Sequence, residues 1–143
     1  MAEAEMANIM REFVNSMRTG DIEKALSYVT DDVDWLSPNG VFRGKDELRR
    51  MLSSESMQNV TATETGNGII AQGNKAFFEH ILEATYRGRK ARWLAMCAYE
   101  FQGDKIQHIR ATFDRLSLAQ QVTSGLPRML INQVIKQADK MTQ

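Results

Sequence analysis

Cysteine is nearly absent from this chain: Cys97 is alone among 143 residues, so no internal disulfide can hold the fold. An excess of either charge is missing too, because 18 Lys and Arg balance 18 Asp and Glu. No global field therefore draws the molecule to nucleic acid or to an anionic membrane surface. The basic stretch Arg87-Gly88-Arg89-Lys90-Ala91-Arg92 reads as a solvated hairpin turn, since it lacks the aromatic stacking platforms of single-strand binders. No apolar run approaches the ~20 residues that span a bilayer. The N-terminus does not have the charged, apolar and cleavable order of a signal peptide, and a cytoplasmic location is the expectation. Repeats, low-complexity tracts and linkers are also missing. What remains, at 43% hydrophobic content, fits one domain, about 1–143, with one core.

Met6, Ile9, Met10, Phe13, Val14 and Met17 recur at helical spacing and predict an amphipathic helix ending near Thr19-Gly20. Asp21 caps a second helix with Ile22, Ala25, Leu26 and Val29 on its buried side, stopping around Thr30-Asp31-Asp32. Val33 to Ser37 reads as a short strand broken by Pro38-Asn39-Gly40, and Lys45 to about Ser53 as a third helix. From Met57 the period becomes two. Turn signals at Gly66-Asn67-Gly68, Gly73-Asn74, Gly88-Arg89 and Gly103-Asp104-Lys105 divide an antiparallel meander. Asp114 can cap a short helix through Leu116, Leu118 and Ala119. A last helix, about 127–141, carries Leu130, Ile131, Val134, Ile135 and Ala138 on one side. That stripe is expected on its own domain, with a partner subunit as the alternative. Helices first and a curved sheet after them make an α+β domain.

A two-residue turn at Gly88-Arg89 pairs Arg87 with Lys90 and sets His80 opposite Cys97, Phe78 opposite Tyr99, Leu82 opposite Ala95 and Ala84 opposite Trp93. A three-residue turn at Gly103-Asp104-Lys105 adds Ile109, Ala111 and Phe113 to that face, with Ala111 beside Cys97. The other face bears Phe77, Ile81, Leu94, Met96 and Ala98 among charges, and a homodimer through it is expected. His108 falls on this outer face, away from His80, so the two cannot share a metal and no metal site is expected.

Gly20-Asp21-Ile22-Glu23-Lys24-Ala25, Asp31-Asp32-Val33-Asp34-Trp35, Phe42-Arg43-Gly44-Lys45-Asp46, Asp104-Lys105-Ile106 and Phe113-Asp114-Arg115-Leu116 follow one another in a familiar order. Over about residues 6–122 the chain resembles the SnoaL-like branch of the nuclear-transport-factor-2-like superfamily. The resemblance implies a cone: a curved antiparallel or mixed sheet wrapped around N-terminal helices, with the segment 127–141 as an extra C-terminal helix. It also implies a pocket floored by the concave sheet face. Members include polyketide cyclases, a ketosteroid isomerase and a limonene epoxide hydrolase, so the fold alone does not give the reaction. The isomerase's three functional groups fall on Ser37, Phe13 and Cys97, and the hydrolase's arginine and two aspartates on Phe78, His80 and Ala111. The resemblance thus implies the absence of both mechanisms in their usual form.

The inward face then offers His80 as the candidate catalytic residue, with Trp35, Ser37, Phe78, Leu82, Trp93, Cys97, Tyr99, Ala111 and Phe113 as candidate ligand contacts. Such a set suits a small hydrophobic, cyclic ligand with one hydroxyl or carbonyl fixed by the imidazole, and requires no cofactor. With a reference pKa of ~6.5, His80 is competent as a general acid or base. A buried histidine can equally be satisfied by a backbone carbonyl or a tyrosine hydroxyl. Cys97 beside it is either a nucleophile or small apolar filler. Met10, Met17, Met51 and Met57 are expected near the pocket mouth as adaptable filler. A non-catalytic partner-binding or ligand-carrier module of the same fold is the competing class, and a pocket filled by the C-terminal helix would favour it.

Overall fold

The computed structural model describes residues 1–142. The elements run α1 (Glu3–Thr19), α2 (Ile22–Ser27), β1 (Val29–Ser37), β2 (Gly40–Arg43), α3 (Gly44–Leu52), α4 (Glu55–Gln58), β3 (Thr61–Gln72), β4 (Lys75–Tyr86), β5 (Arg89–Gln102), β6 (Lys105–Phe113), α5 (Arg115–Val122) and α6 (Gly125–Met141). All six strands share one sheet in the order β2-β1-β6-β5-β4-β3, in which β1 runs parallel to β6 and every other pair is antiparallel. The sheet is mixed, curved and not closed, and the architecture is α+β.

Local chemistry accounts for the element ends. Gly20 closes α1 in the left-handed conformation. Asp21 accepts from the Lys24 N–H at the start of α2, and Asp114 from the Ser117 N–H at the start of α5. At α3 the Glu47 carboxylate accepts from the Arg43 N–H, satisfying one donor that the helix cannot. Strand β1 begins at Val29, where the expected second helix still continued: α2 ends at Ser27, and the Ile106 N–H donates to the Tyr28 carbonyl beside it. The pull is tertiary, since Val29 buries against the sheet at 1% exposure.

Gly66-Asn67-Gly68 is a bulge inside one long strand, not the turn its composition predicts. The β3–β4 register shifts between Glu64 and Ile69, and both glycines take left-handed φ values of 55° and 61°. A Cβ at Gly66 would lie 2.3 Å from the Glu79 carboxylate oxygens, and the Asn67 N–H donates to that carboxylate.

The β4–β5 hairpin turns at Arg87-Gly88, with φ values of 49° and 79°, rather than at Gly88-Arg89. His80 therefore faces Ala95, Phe78 faces Cys97, Leu82 faces Trp93 and Ala84 faces Ala91. The slip is two residues, so each side chain keeps its face. Outward charges account for the choice: this register sets Glu83 across from Arg92 and Lys75 across from Glu100, both ion-paired. The β5–β6 turn holds two residues, not three, but a bulge after Glu100 restores the expected pairing of Cys97 with Ala111.

The core fills the concave side beneath α1, α2 and α3. Met6, Met10, Phe13, Leu48, Ile106 and Ile109 are wholly buried there. At roughly 1.5–3 kcal/mol for each large apolar side chain, this packing is the main support of the fold. Met10 belongs to this core and not to the pocket mouth. Helix α6 departs most from expectation. It packs mainly against α5, buries none of its described residues, and leaves Leu126, Met129, Leu130 and Val134 more than half exposed. Among the described residues no helix is long and apolar enough to cross a membrane.

Candidate functional site

Between the helices and the concave face lies a cavity of about 710 Å³. It separates two apolar clusters: the main core, and a smaller group of Ala84, Ala91 and Trp93 packed with Leu82, Tyr86, Phe113, Leu118 and Val122. Strand alternation brings the inner residues of β4, β5 and β6 to its wall, and α1, α4 and α5 contribute further lining residues.

His80 lines this cavity at 5% exposure. Its Nδ1–H donates to the Phe78 carbonyl at 3.2 Å, leaving Nε2 as an acceptor, and its ring stacks on Phe78 with centroids 4.2 Å apart. Burial lowers its pKa, opposed by the Phe78 carbonyl, so the imidazole is neutral at pH 7. Glu64 stands across from His80 on β3, an inward carboxylate the strand reading did not count. Its oxygens are drawn away to Arg11, 2.6 Å from Nε, and it does not line the cavity.

Trp35, Ser37, Leu82, Trp93, Cys97, Tyr99, Ala111 and Phe113 all line the cavity. Phe78 does not: it sits in the core behind His80, at 3% exposure, and is removed from the candidate ligand contacts. The Ser37 hydroxyl accepts from the Asn39 N–H and so is spent on the β1–β2 turn. Burial pushes the Cys97 thiol up to about 12, with Tyr99 opposing, which leaves it protonated and not nucleophilic. Burial likewise holds the Tyr99 hydroxyl protonated, well above its ordinary value. Since Cys97 faces Phe78, the expected row of His80, Cys97 and Ala111 is replaced by His80, Ala95 and Phe113.

The Trp93 Nε1–H is buried without a hydrogen-bond partner. An unmet donor costs ~1–3 kcal/mol, so an acceptor brought to it would be favourable. Met17, Met51 and Met57 line the cavity as expected. Sequence reasoning missed Tyr86, Arg18 and Arg115. Helical period could have found the arginines, since Arg18 follows Val14 by four residues and Arg115 shares its stripe with Leu118, Ala119 and Val122. Among the described residues, no cluster of three or more His, Cys, Asp or Glu could hold a metal.

His108 lies on the outer face, paired with Asp34 on β1 at 2.5 Å. The chain's histidine–carboxylate pair is thus on the far side of the sheet from the cavity.

Solved structures share this architecture. An NTF2-like protein from Burkholderia xenovorans LB400 aligns at 22% identity with a TM-score of 0.73, over 86% of this chain and 99% of its own. TerC, co-crystallised with polyporic acid, aligns at 19% identity and a TM-score of 0.74, over 84% and 99%. An LEH-like epoxide hydrolase of M. tuberculosis aligns at 18% identity and 0.69, over 94% and 98%. At such identities the likeness is one of fold. No curated protein matches the sequence. The model of the SnoaL-like domain matches residues 10–109, most of the domain that encloses the cavity, and the chain belongs to that family.

Proposed function

We propose that this domain binds a small, largely apolar cyclic molecule in the cavity, and that His80 handles any proton transferred there. The cavity itself carries the reading: about 710 Å³ is room for a multi-ring ligand, and its wall is aromatic and aliphatic with few polar groups. A neutral imidazole anchored through Nδ1 presents Nε2 as hydrogen-bond acceptor or general base. The fold neighbours support an organic ligand by analogy, one having been crystallised with polyporic acid and another being an LEH-like epoxide hydrolase. No metal or cofactor enters this reading.

The test is native mass spectrometry of the purified protein, with thermal-shift screening of cyclic compounds on wild type and Ala111→Phe. Stabilisation of wild type that the phenylalanine variant loses supports the reading. Compounds that stabilise both equally would refute it.

The exposed stripe of α6 favours a second reading, a module that engages another protein through that helix. The cavity remains unfilled by α6, which favours the first. The outer sheet face is proposed to join a second copy. Leu36, Ala98, Phe77 and Ile70 form one row across five strands with Arg110, next to a polar row of Asp34, His108, Glu100 and Lys75. Such a face can meet itself about a two-fold axis. Phe77→Lys should then halve the mass seen by sedimentation; an unchanged mass would exclude this interface.

A further inference from the structure

The cavity wall contains no aspartate or glutamate, yet two arginines reach it: Arg18 from the last turn of α1 and Arg115 from the first turn of α5. Neither is balanced. Arg18 Nη2 donates to the Asn15 Oδ1 at 2.8 Å, and Arg115 Nη1 to the Pro38 carbonyl at 2.8 Å, both neutral oxygens. Among the described residues neither guanidinium has a carboxylate within ion-pair distance; Arg43, Arg50, Arg87, Arg89 and Arg128 share that lack, but only Arg18 and Arg115 line the cavity, whereas Arg11, Arg49, Arg92 and Arg110 are ion-paired away from it. Asp114, next to Arg115, has an oxygen committed to the Ser117 N–H. The chain as a whole is neutral, so this local excess belongs to the cavity and not to the composition.

Apolar walls select a ring system, and unpaired guanidiniums select what it carries. A guanidinium has five N–H donors in a planar fork that matches a carboxylate, and each arginine spends only one on its neutral partner. The unpartnered Trp93 Nε1–H adds a third donor in search of an acceptor. His80, neutral, offers Nε2 to a hydroxyl of the ligand.

We propose that the ligand is an organic acid: an apolar ring body bearing one ionised acidic group, which Arg18 and Arg115 recognise at the rim. This rests on the cavity reading above and adds the ligand's charge to it. The ring lies against Trp93 and Phe113, and the acid reaches outward, where its desolvation is incomplete and cheap.

The test uses a matched pair, 2-naphthoate and 2-naphthamide, titrated calorimetrically into wild type, Arg18→Gln, Arg115→Gln and Ala111→Phe. The acid is expected to bind wild type about tenfold or more tightly than the amide, as charge-assisted hydrogen bonds require. Each arginine variant should erase several-fold of that preference, weakening the acid much more than the amide, and added salt should weaken chiefly the acid. Ala111→Phe should abolish both. Equal affinity for acid and amide, with both lost in Ala111→Phe, overturns the acidic ligand and keeps the cavity. Acid binding that survives Ala111→Phe places the anion elsewhere and overturns this inference. Absence of binding by either compound overturns the cavity reading, and the inference falls with it.

Discussion

The two ends of the cone are built differently. At the closed end α1, α2 and α3 press Met6, Met10, Leu26, Leu48 and Leu52 against Ile106 and Ile109, each 2% exposed or less. At the open end Trp93 and two alanines are backed by residues only partly buried, and neither α5 nor α6 buries one completely. The first end has the density of a protein interior, and the second encloses space. Dense packing is thereby separated from open space along one sheet: β5 contributes Phe101 to the core and Trp93 to the cavity, eight positions apart on the same face.

The sharpest way to break this comparison is at the closed end. Phe13 is wholly buried, with its ring 6.2 Å from Trp35 and 6.4 Å from Tyr99. Phe13→Ala should cost about 3–5 kcal/mol in urea denaturation, a large share of a small domain's stability. A loss below about 1 kcal/mol would mean that the closed end is not where the fold is held.

At the open end the same experiment run in reverse should do little. Ala111→Phe adds volume towards space, so its stability should stay within about 1–2 kcal/mol of wild type while ligand binding disappears. A stability loss as large as that of Phe13→Ala would show the cavity to be packed in solution.

How far the sequence disclosed this division differs by region. The closed end was legible where its residues obey a period, Met6, Met10 and Phe13 by helical spacing and Ile109 by alternation on β6, whereas Ile106, three positions from Ile109, is turned inward only by the β5–β6 bulge. Faces of the sheet were legible for the same reason, and eight of nine expected ligand contacts line the cavity. Register was not, because the Arg87-Gly88 and Gly88-Arg89 turns preserve the same alternation and differ only in which outward charges meet. Phe78 was misplaced for a related cause. Alternation assigns a face, but only three-dimensional packing divides that face into core and cavity. The arginines escaped because a search for catalytic carboxylates passes over cations that lack a partner, and Glu64 because β3 was divided at its bulge.

His80 sharpens the comparison at the boundary between the two ends. Burial holds its pKa below the ordinary 6.5, so in the interval between the two values the unfolded chain takes a proton that the folded chain refuses. The stabilisation from a neutral imidazole is full above about pH 6.5 and declines as pH falls towards the lowered folded value. His80→Gln should flatten that part of the stability–pH curve. At pH 7 it should cost only about 1 kcal/mol, the scale of one hydrogen bond. An unaltered slope would mean that the ring is hydrated and already free to take its proton in the folded state.

The smallest effect is expected at the extreme of the open end. Helix α6 packs mainly against α5, through partly buried Ile131 and Ile135 and a Gln120–Asn132 hydrogen bond, so the cone is expected to stand without it. A chain ending at Ser124 should lose helical ellipticity yet keep its unfolding free energy in urea to within about 1 kcal/mol, since so little apolar area leaves the interior. Binding of a cavity ligand should be unchanged, because no residue of α6 lines the cavity. The informative deviation is a concentration-dependent loss of stability in the shortened chain. That would assign the stripe of Leu126, Met129, Leu130 and Val134 to a contact between copies, and the open end would then owe its shape to assembly as well as to its own sequence.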